Sequence, residues 1–395
     1  MENAILHNLI KFKPFDKDNK TDDINIKTDD INIEDNKTDD VQKEESSIKD
    51  TNEKEIKDTE EKEIKDTEEK EIKDTDKKDI KDTEEKENKD TEEKEINLIV
   101  KEEVKESDLI PHITSKYDTL VLSGGGIKGF ITLGALHYAD LNFFLKDIKT
   151  YIGTSTGSLI CYLLAIGYNA LEIMAYLSTS QILNKLRNFN VLAIINGGGA
   201  SSFHPIHEQL EKMTIEKIGS LLTLKGLYDN FGKTLVCVTY NLTKNKTEYL
   251  SHVNYPDLPC LIALRMSSNL PLIFDHFKYM NCHFIDGGIC DNFAISLGEK
   301  YGEKILGIYV NATKSDIDID HSEKGLLEYI YKLLFIPIKQ SSNFQIQSVC
   351  EEKCSVINLI SDIDIKIFDF GLRTSEKLDM FSSGYNQIKH FFEQL

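Results

Sequence analysis

Residues 149–166 read KTYIGTSTGSLICYLLAI. Lys149–Gly153 is a short run of strand character, and Ser158–Leu177 is a long apolar stretch without proline, which predicts one buried helix. Between them stands Gly153-Thr154-Ser155-Thr156-Gly157, a G-x-S-x-G motif. A sharp strand-to-helix turn crowds the backbone around its central serine, so glycine is needed on both sides. The serine hydroxyl then projects above the sheet at a helix N-terminus, where a nucleophile can be presented. The plainer reading is a helix-capping serine.

The same alternation continues on both sides. Asp118–Ser123 is a short apolar strand that breaks into Gly124-Gly125-Gly126, and Gly129–Leu145 has a helical pattern. Downstream, Thr234–Asn241 reads as a strand, with Lys246–Ser251 returning beside it across Lys244-Asn245. Phe277–Ile285 reads as one extended segment ending at Asp286-Gly287-Gly288. Ile305–Asn311 and Ser355–Ile360 are two more buried-strand candidates, and Thr374–Phe392 is a terminal helix. Strands alternating with helices place the chain in the α/β class, with helices on both faces of a sheet.

Two further motifs bear on chemistry. Gly124-Gly125-Gly126-Ile127-Lys128-Gly129 offers a run of backbone N–H groups at a helix N-terminus, which stabilises negative charge. A dinucleotide phosphate would want an acid at the end of the next strand, about 20 positions on. That strand runs into the serine turn instead, so a reaction oxyanion fits better. Asp286-Gly287-Gly288 supplies a carboxylate that could accept the serine proton if its surroundings raise its basicity. Gly197-Gly198-Gly199 has no comparable strand before it and reads as a flexible loop or lid.

GGGxxG, then GxSxG, then DGG is an order that resembles the patatin-like phospholipases, lipid acyl hydrolases with a Ser–Asp dyad and no catalytic histidine. The resemblance runs from about Asp118 to the C-terminus. Ala263–Pro271 (ALRMSSNLP) is similar to the family's block of Arg, Ser and Pro, and Asn292 and Asp369-Phe370 also fit. Ala294 stands where the family usually has proline. The resemblance implies a three-layer α/β/α sandwich with a mainly parallel central sheet over residues 111–395. It implies Ser155 as nucleophile and Asp286 as general base. It places the oxyanion hole in Gly124, Gly125, Gly126, Ile127, Lys128 and Gly129, and the nucleophile elbow in Gly153, Thr154, Thr156 and Gly157, with Gly287 and Gly288 completing the acid's motif. The implied substrate is a lipid or other acyl ester met at a membrane surface. These steps require no metal or cofactor.

Composition divides the chain. Of 395 residues, the first 110 carry 39 acids and 22 lysines, most of the net charge of −20. The other 285 residues are nearly neutral. Residues 49–96 are six copies of an octad of the type KDTEEKEI. One apolar residue per octad drifts around a helix at about 100° per residue and never forms a stripe, so residues 1–110 are expected to be a disordered acidic tail. Such a tail would repel nucleic acid. It reads as a solvated spacer or, less simply, a docking segment for an unknown partner.

The seven cysteines contain no C-x-x-C pair, which argues against a zinc site and for buried thiols. Asp316, Asp318 and Asp320 lack the glycine and distal glutamate of a calcium loop. With no basic n-region before an apolar stretch in the first 30 residues, a cytoplasmic location with transient peripheral membrane contact is expected. Leu159–Leu177 is read as buried, not spanning, and Leu326–Ile338, which contains Glu328 and Lys332, is too short to span. Two other readings stay open. One is a Ser-His-Asp α/β-hydrolase drawing on His321 or His390. The other is a catalytically inactive scaffold with a partner-binding tail.

Overall fold

The computed structural model describes residues 117–179, 182–186, 190, 193–194, 198–311, 326–361 and 371–394. The acidic repeats, Gly197, the Asp316–Asp320 run, His321 and Asp369-Phe370 lie outside these residues.

Strand β1 (Thr119–Leu122) is followed by a 3-10 turn, Gly126–Lys128, and helix α1 (Gly129–Leu141). Strand β2 (Thr150–Thr154) leads through Ser155 into α2 (Thr156–Ala165). Helices α3 (Ala170–Thr179), α4 (Ile182–Leu186), α5 (His204–Ile218) and α6 (Leu224–Phe231) precede β3 (Thr234–Asn241), β4 (Lys246–Leu250) and α7 (Cys260–Ser267). A hairpin, β5 (Phe277–Tyr279) and β6 (Cys282–Asp286), is followed by α8 (Ile295–Tyr301) and β7 (Ile305–Asn311). Last come α9 (Leu326–Ser348), β8 (Cys354–Ile360) and α10 (Thr374–Glu393).

The strands form one sheet whose hydrogen-bonded pairs run β5-β6, β6-β3, β3-β2, β2-β1, β1-β7 and β7-β8, with β4 also paired to β3. The pairs β3–β2, β2–β1, β1–β7 and β7–β8 are parallel, while β4 and β6 join β3 antiparallel. Alternation along the strands builds a core on each face. Leu120, Leu122, Leu306 and Ile308 pack with α1, α2 and α10, whereas Val121, Ile305 and Tyr309 pack with Phe293 and Ile295 of the α8 region. This is the three-layer arrangement with a mainly parallel sheet.

Which edge of β3 each neighbour takes decides where the site lies. β4 pairs with Cys237–Asn241, overlapping both β2 (Thr234–Val238) and β6 (Thr239–Asn241) on that strand. Two strands pairing with the same residue must lie on opposite edges. β2 and β6 therefore share one edge, β6 taking over where β2 stops. Thr154 faces Val238 and Asp286 faces Thr239, so the residue after Thr154 and Asp286 meet by register alone.

Two expectations need correction. Ser158–Leu177 is two helices, not one: α2 ends at Ala165, and Gly167, at φ +100°, turns the chain before α3 begins. Phe277–Ile285 is a hairpin, because Met280 and Asn281 both take positive φ, the conformation of a two-residue type I′ turn. Gly198 and Gly199 lie in irregular backbone, as a loop does, and they carry defined hydrogen bonds. The Gly198 N–H donates to the Ala193 carbonyl (2.8 Å), the Gly199 N–H donates to Asp275 Oδ1 (3.2 Å), and Ser201 bridges to Phe274.

Candidate active site

Ser155 occupies the elbow between β2 and α2 at φ +52°, ψ −128°, a conformation that costs a non-glycine residue about 1–3 kcal/mol. The residues two before and two after it must be glycine. A Cβ on Gly153 would lie 2.5 Å from the Ser158 backbone, and one on Gly157 would lie 2.6 Å from the Leu122 and Ser123 carbonyls. The elbow is fixed from below as well. The Ser155 N–H donates to Ser267 Oγ (3.0 Å), and Thr154 Oγ1 donates to the Asp291 carbonyl (3.1 Å).

The Ser155 hydroxyl donates to Asp286 Oδ2 at 2.6 Å. Asp286 Oδ1 accepts from the Gly288 N–H at 2.7 Å. The acid is 2 % exposed, and burial pushes its pKa up to about 6, with the Ser155 hydroxyl and the Gly288 N–H pulling the other way. It is held in place by its own N–H, which donates to the Asn269 carbonyl (2.9 Å). Asn269 Oδ1 accepts in turn from Arg265 Nη1 (2.6 Å), and Asn269 Nδ2 donates to the Phe284 carbonyl (2.7 Å). Arg265 lies 4.4 Å from the Phe203 ring centroid and 5.2 Å from that of Phe277. Burial lowers its pKa to about 10, which leaves it cationic at neutral pH. The Arg–Ser–Pro block thus frames the acid and the serine.

The glycine run lies against the serine. A Cβ on Gly124 would stand 3.1 Å from Ser155 Cβ, and one on Gly129 would stand 2.7 Å from Thr156 Cγ2. Several N–H groups of the run are already engaged. Gly124 donates to the Asn292 carbonyl (3.1 Å), Lys128 donates to the Gly125 carbonyl (3.0 Å), and Gly129 donates to the Gly126 carbonyl. Gly125, Gly126 and Ile127 are the members of the run whose N–H groups make no such bond. Gly126 takes φ +54°, so the backbone turns sharply at these amides.

Sequence reasoning missed one member of the constellation. Asp291 is 7 % exposed; its Oδ2 accepts from Tyr249 Oη (2.8 Å) and its Oδ1 from Gln345 Nε2 (2.8 Å). Burial raises its pKa against those two hydrogen bonds. With Asn292 beside it, whose Nδ2 donates to the Gly124 carbonyl (3.3 Å), it ties the glycine run and Thr154 to β4 and α9. Only its closeness to Asp286 in sequence could have pointed to it. Among the described residues no histidine hydrogen-bonds to Ser155 or Asp286. His204 pairs with Glu208 (3.1 Å), and His390 Nε2 lies 2.7 Å from Gln394 Nε2.

The family model of the patatin-like phospholipases matches residues 120–297. The chain is also 37% identical over 206 residues to "Probable lipid hydrolase 463L" of Invertebrate iridescent virus 6, covering 51% of this chain and 68% of that protein. The chain belongs to the patatin-like phospholipase family. A second relative within reach of this patatin-like chain is the uncharacterized protein R571 of Acanthamoeba polyphaga mimivirus, 28% identical over 290 residues, 70% of this chain and 93% of the relative. Among solved structures, VipD from Legionella pneumophila aligns at a TM-score of 0.42 and 15% identity, over 71% of this chain and 67% of that one. No helix among the described residues of the patatin-like chain is long and apolar enough to cross a membrane.

Proposed function

We propose that the protein hydrolyses acyl esters of lipids through a Ser155–Asp286 dyad. The observation that carries this reading is the 2.6 Å hydrogen bond from the Ser155 hydroxyl to a buried carboxylate whose pKa is raised to about 6. A carboxylate of ordinary acidity is a poor base toward a hydroxyl, and burial is what raises its basicity. Ser155 Oγ attacks the ester carbonyl while Asp286 takes its proton. The carbonyl oxygen becomes an oxyanion facing the amides of Gly125, Gly126 and Ile127 at the positive end of α1. Collapse of the tetrahedral intermediate breaks the ester C–O bond, and Asp286 returns the proton to the departing alcohol. Water, deprotonated by Asp286, then attacks the acyl carbon, the bond from that carbon to Ser155 Oγ breaks, and Asp286 returns the proton to Ser155 Oγ as the acid leaves. The dyad supplies every proton transfer in this sequence.

The test is lipidomics of a mixed lipid extract treated with the protein and its variants, alongside fluorophosphonate labelling. Ser155→Ala and Asp286→Asn each lower turnover by roughly 10⁴-fold or more, and the probe labels Ser155 alone. His204→Ala, His321→Ala and His390→Ala retain activity. A histidine variant as inactive as Ser155→Ala would replace the dyad with a triad. A folded wild type that neither labels nor turns over lipid would make the protein a scaffold.

A further inference from the structure

Two hairpin tips stand beyond the dyad on the side of the sheet where Ser155 emerges. Leu242 follows the end of β3, three residues past Thr239, the partner of Asp286. At 3.3–3.4 Å per residue that is about 10 Å above the acid. Cys282 lies four residues along β6 from Asp286, about 13 Å, and the Met280-Asn281 turn lies beyond it. The tips are joined. The Leu242 N–H donates to the His283 carbonyl (2.9 Å), and the His283 N–H donates to Thr243 Oγ1 (2.9 Å). They form one rim carried by the strand that delivers Asp286.

The rim carries unusual chemistry for this chain. Met280 is 81 % exposed and Leu242 is 48 % exposed. Neither Asn241–Thr247 nor His276–His283 contains an acid, in a protein of net charge −20, while Lys244, Lys246 and Lys278 lie within them. The carboxylate that meets these lysines from below, Glu248, sits 3.9 Å from Lys244 Nζ and 3.3 Å from Lys246 Nζ. Glu248 is itself buried among Asn241 and Tyr255, so the rim keeps a net positive face. Apolar ends between lysines suit a surface with an anionic phosphate layer over hydrocarbon.

We propose that the joined tips, led by Leu242 and Met280, are where the protein seats on a phospholipid bilayer so that a lipid can reach Ser155. This rests on the lipid-hydrolase reading for its purpose but not for its test. Flotation of the full-length Ser155→Ala chain with vesicles of phosphatidylcholine and about one-fifth phosphatidylglycerol measures binding without turnover. Adding Leu242→Ser and Met280→Ser weakens binding about tenfold, because two apolar side chains no longer leave water. In the active chain the same pair lowers the ratio of vesicle turnover to p-nitrophenyl butyrate turnover by a similar factor. An unchanged melting temperature confirms that both exposed positions tolerate serine. Undiminished vesicle binding overturns the proposal, as does an equal fall on both substrates, which would make the rim part of the catalytic cleft. A dimer lost in the double variant, with vesicle binding intact, would assign the rim to self-association. A wild type without ester turnover sinks the hydrolase reading, and flotation still judges the surface.

Discussion

Ser155 and Asp286 are each held in a state that isolated residues avoid. The serine stands at positive φ, and the acid is buried with a pKa raised from 3.8 to about 6. The raised value has a sign in two measurements. A general base works as the carboxylate, so kcat/KM for a soluble ester rises with pH through about 6 and levels above it, falling about tenfold per pH unit below. A profile flat down to pH 4 would contradict the base assignment. For stability the direction reverses. The folded chain holds this proton more tightly than the unfolded chain, so the acid's contribution is present below about 3.8 and lost as pH rises through about 6. The site is therefore most basic where this residue helps the fold least.

At the scale of elements, α1 carries the glycine run and is buried along most of its length. It lies against α10 at a mutual close approach: a Cβ on Gly134 would fall 1.8 Å from the Phe381 carbonyl oxygen, and one on Gly384 would fall 1.9 Å from that of Ile131. Only glycine allows two helix backbones to touch in this way. Gly384→Leu forces them apart and costs about 3 kcal/mol or more, read as a lower urea midpoint with the m-value kept. An unchanged midpoint would mean the crossing is loose. The sequence made β1, β2, β3, β7 and the serine elbow legible, because each is a short apolar run ending in glycine or a polar turn. It hid the break at Gly167, since tyrosine and asparagine after a glycine do not interrupt an apolar average. It also hid the hairpin at Met280-Asn281, whose first residue gives no turn signal. Asp291 was unreadable for a different reason. Its role depends on Tyr249 and Gln345, 42 and 54 residues away, which no local pattern connects.

For the whole molecule, charge and chemistry are segregated. The dyad, its glycine run and its supports all lie between Gly124 and Gln345, whereas most of the −20 charge precedes residue 111. Deleting residues 1–105 leaves soluble-ester turnover within about twofold, since no residue assigned to the site is removed. A folded truncation without activity would give the repeats a catalytic part. The edge shared by β2 and β6 has a consequence in time. Ser155 and Asp286 are 131 residues apart in the chain. At about 5–20 residues per second, synthesis reaches the serine roughly 7–26 s before the acid, and β6 must still pair with β3 before the two meet. A growing chain thus carries a serine with no proton acceptor. On the proposed dyad mechanism, the serine gains its proton acceptor only when the upper half of that edge closes.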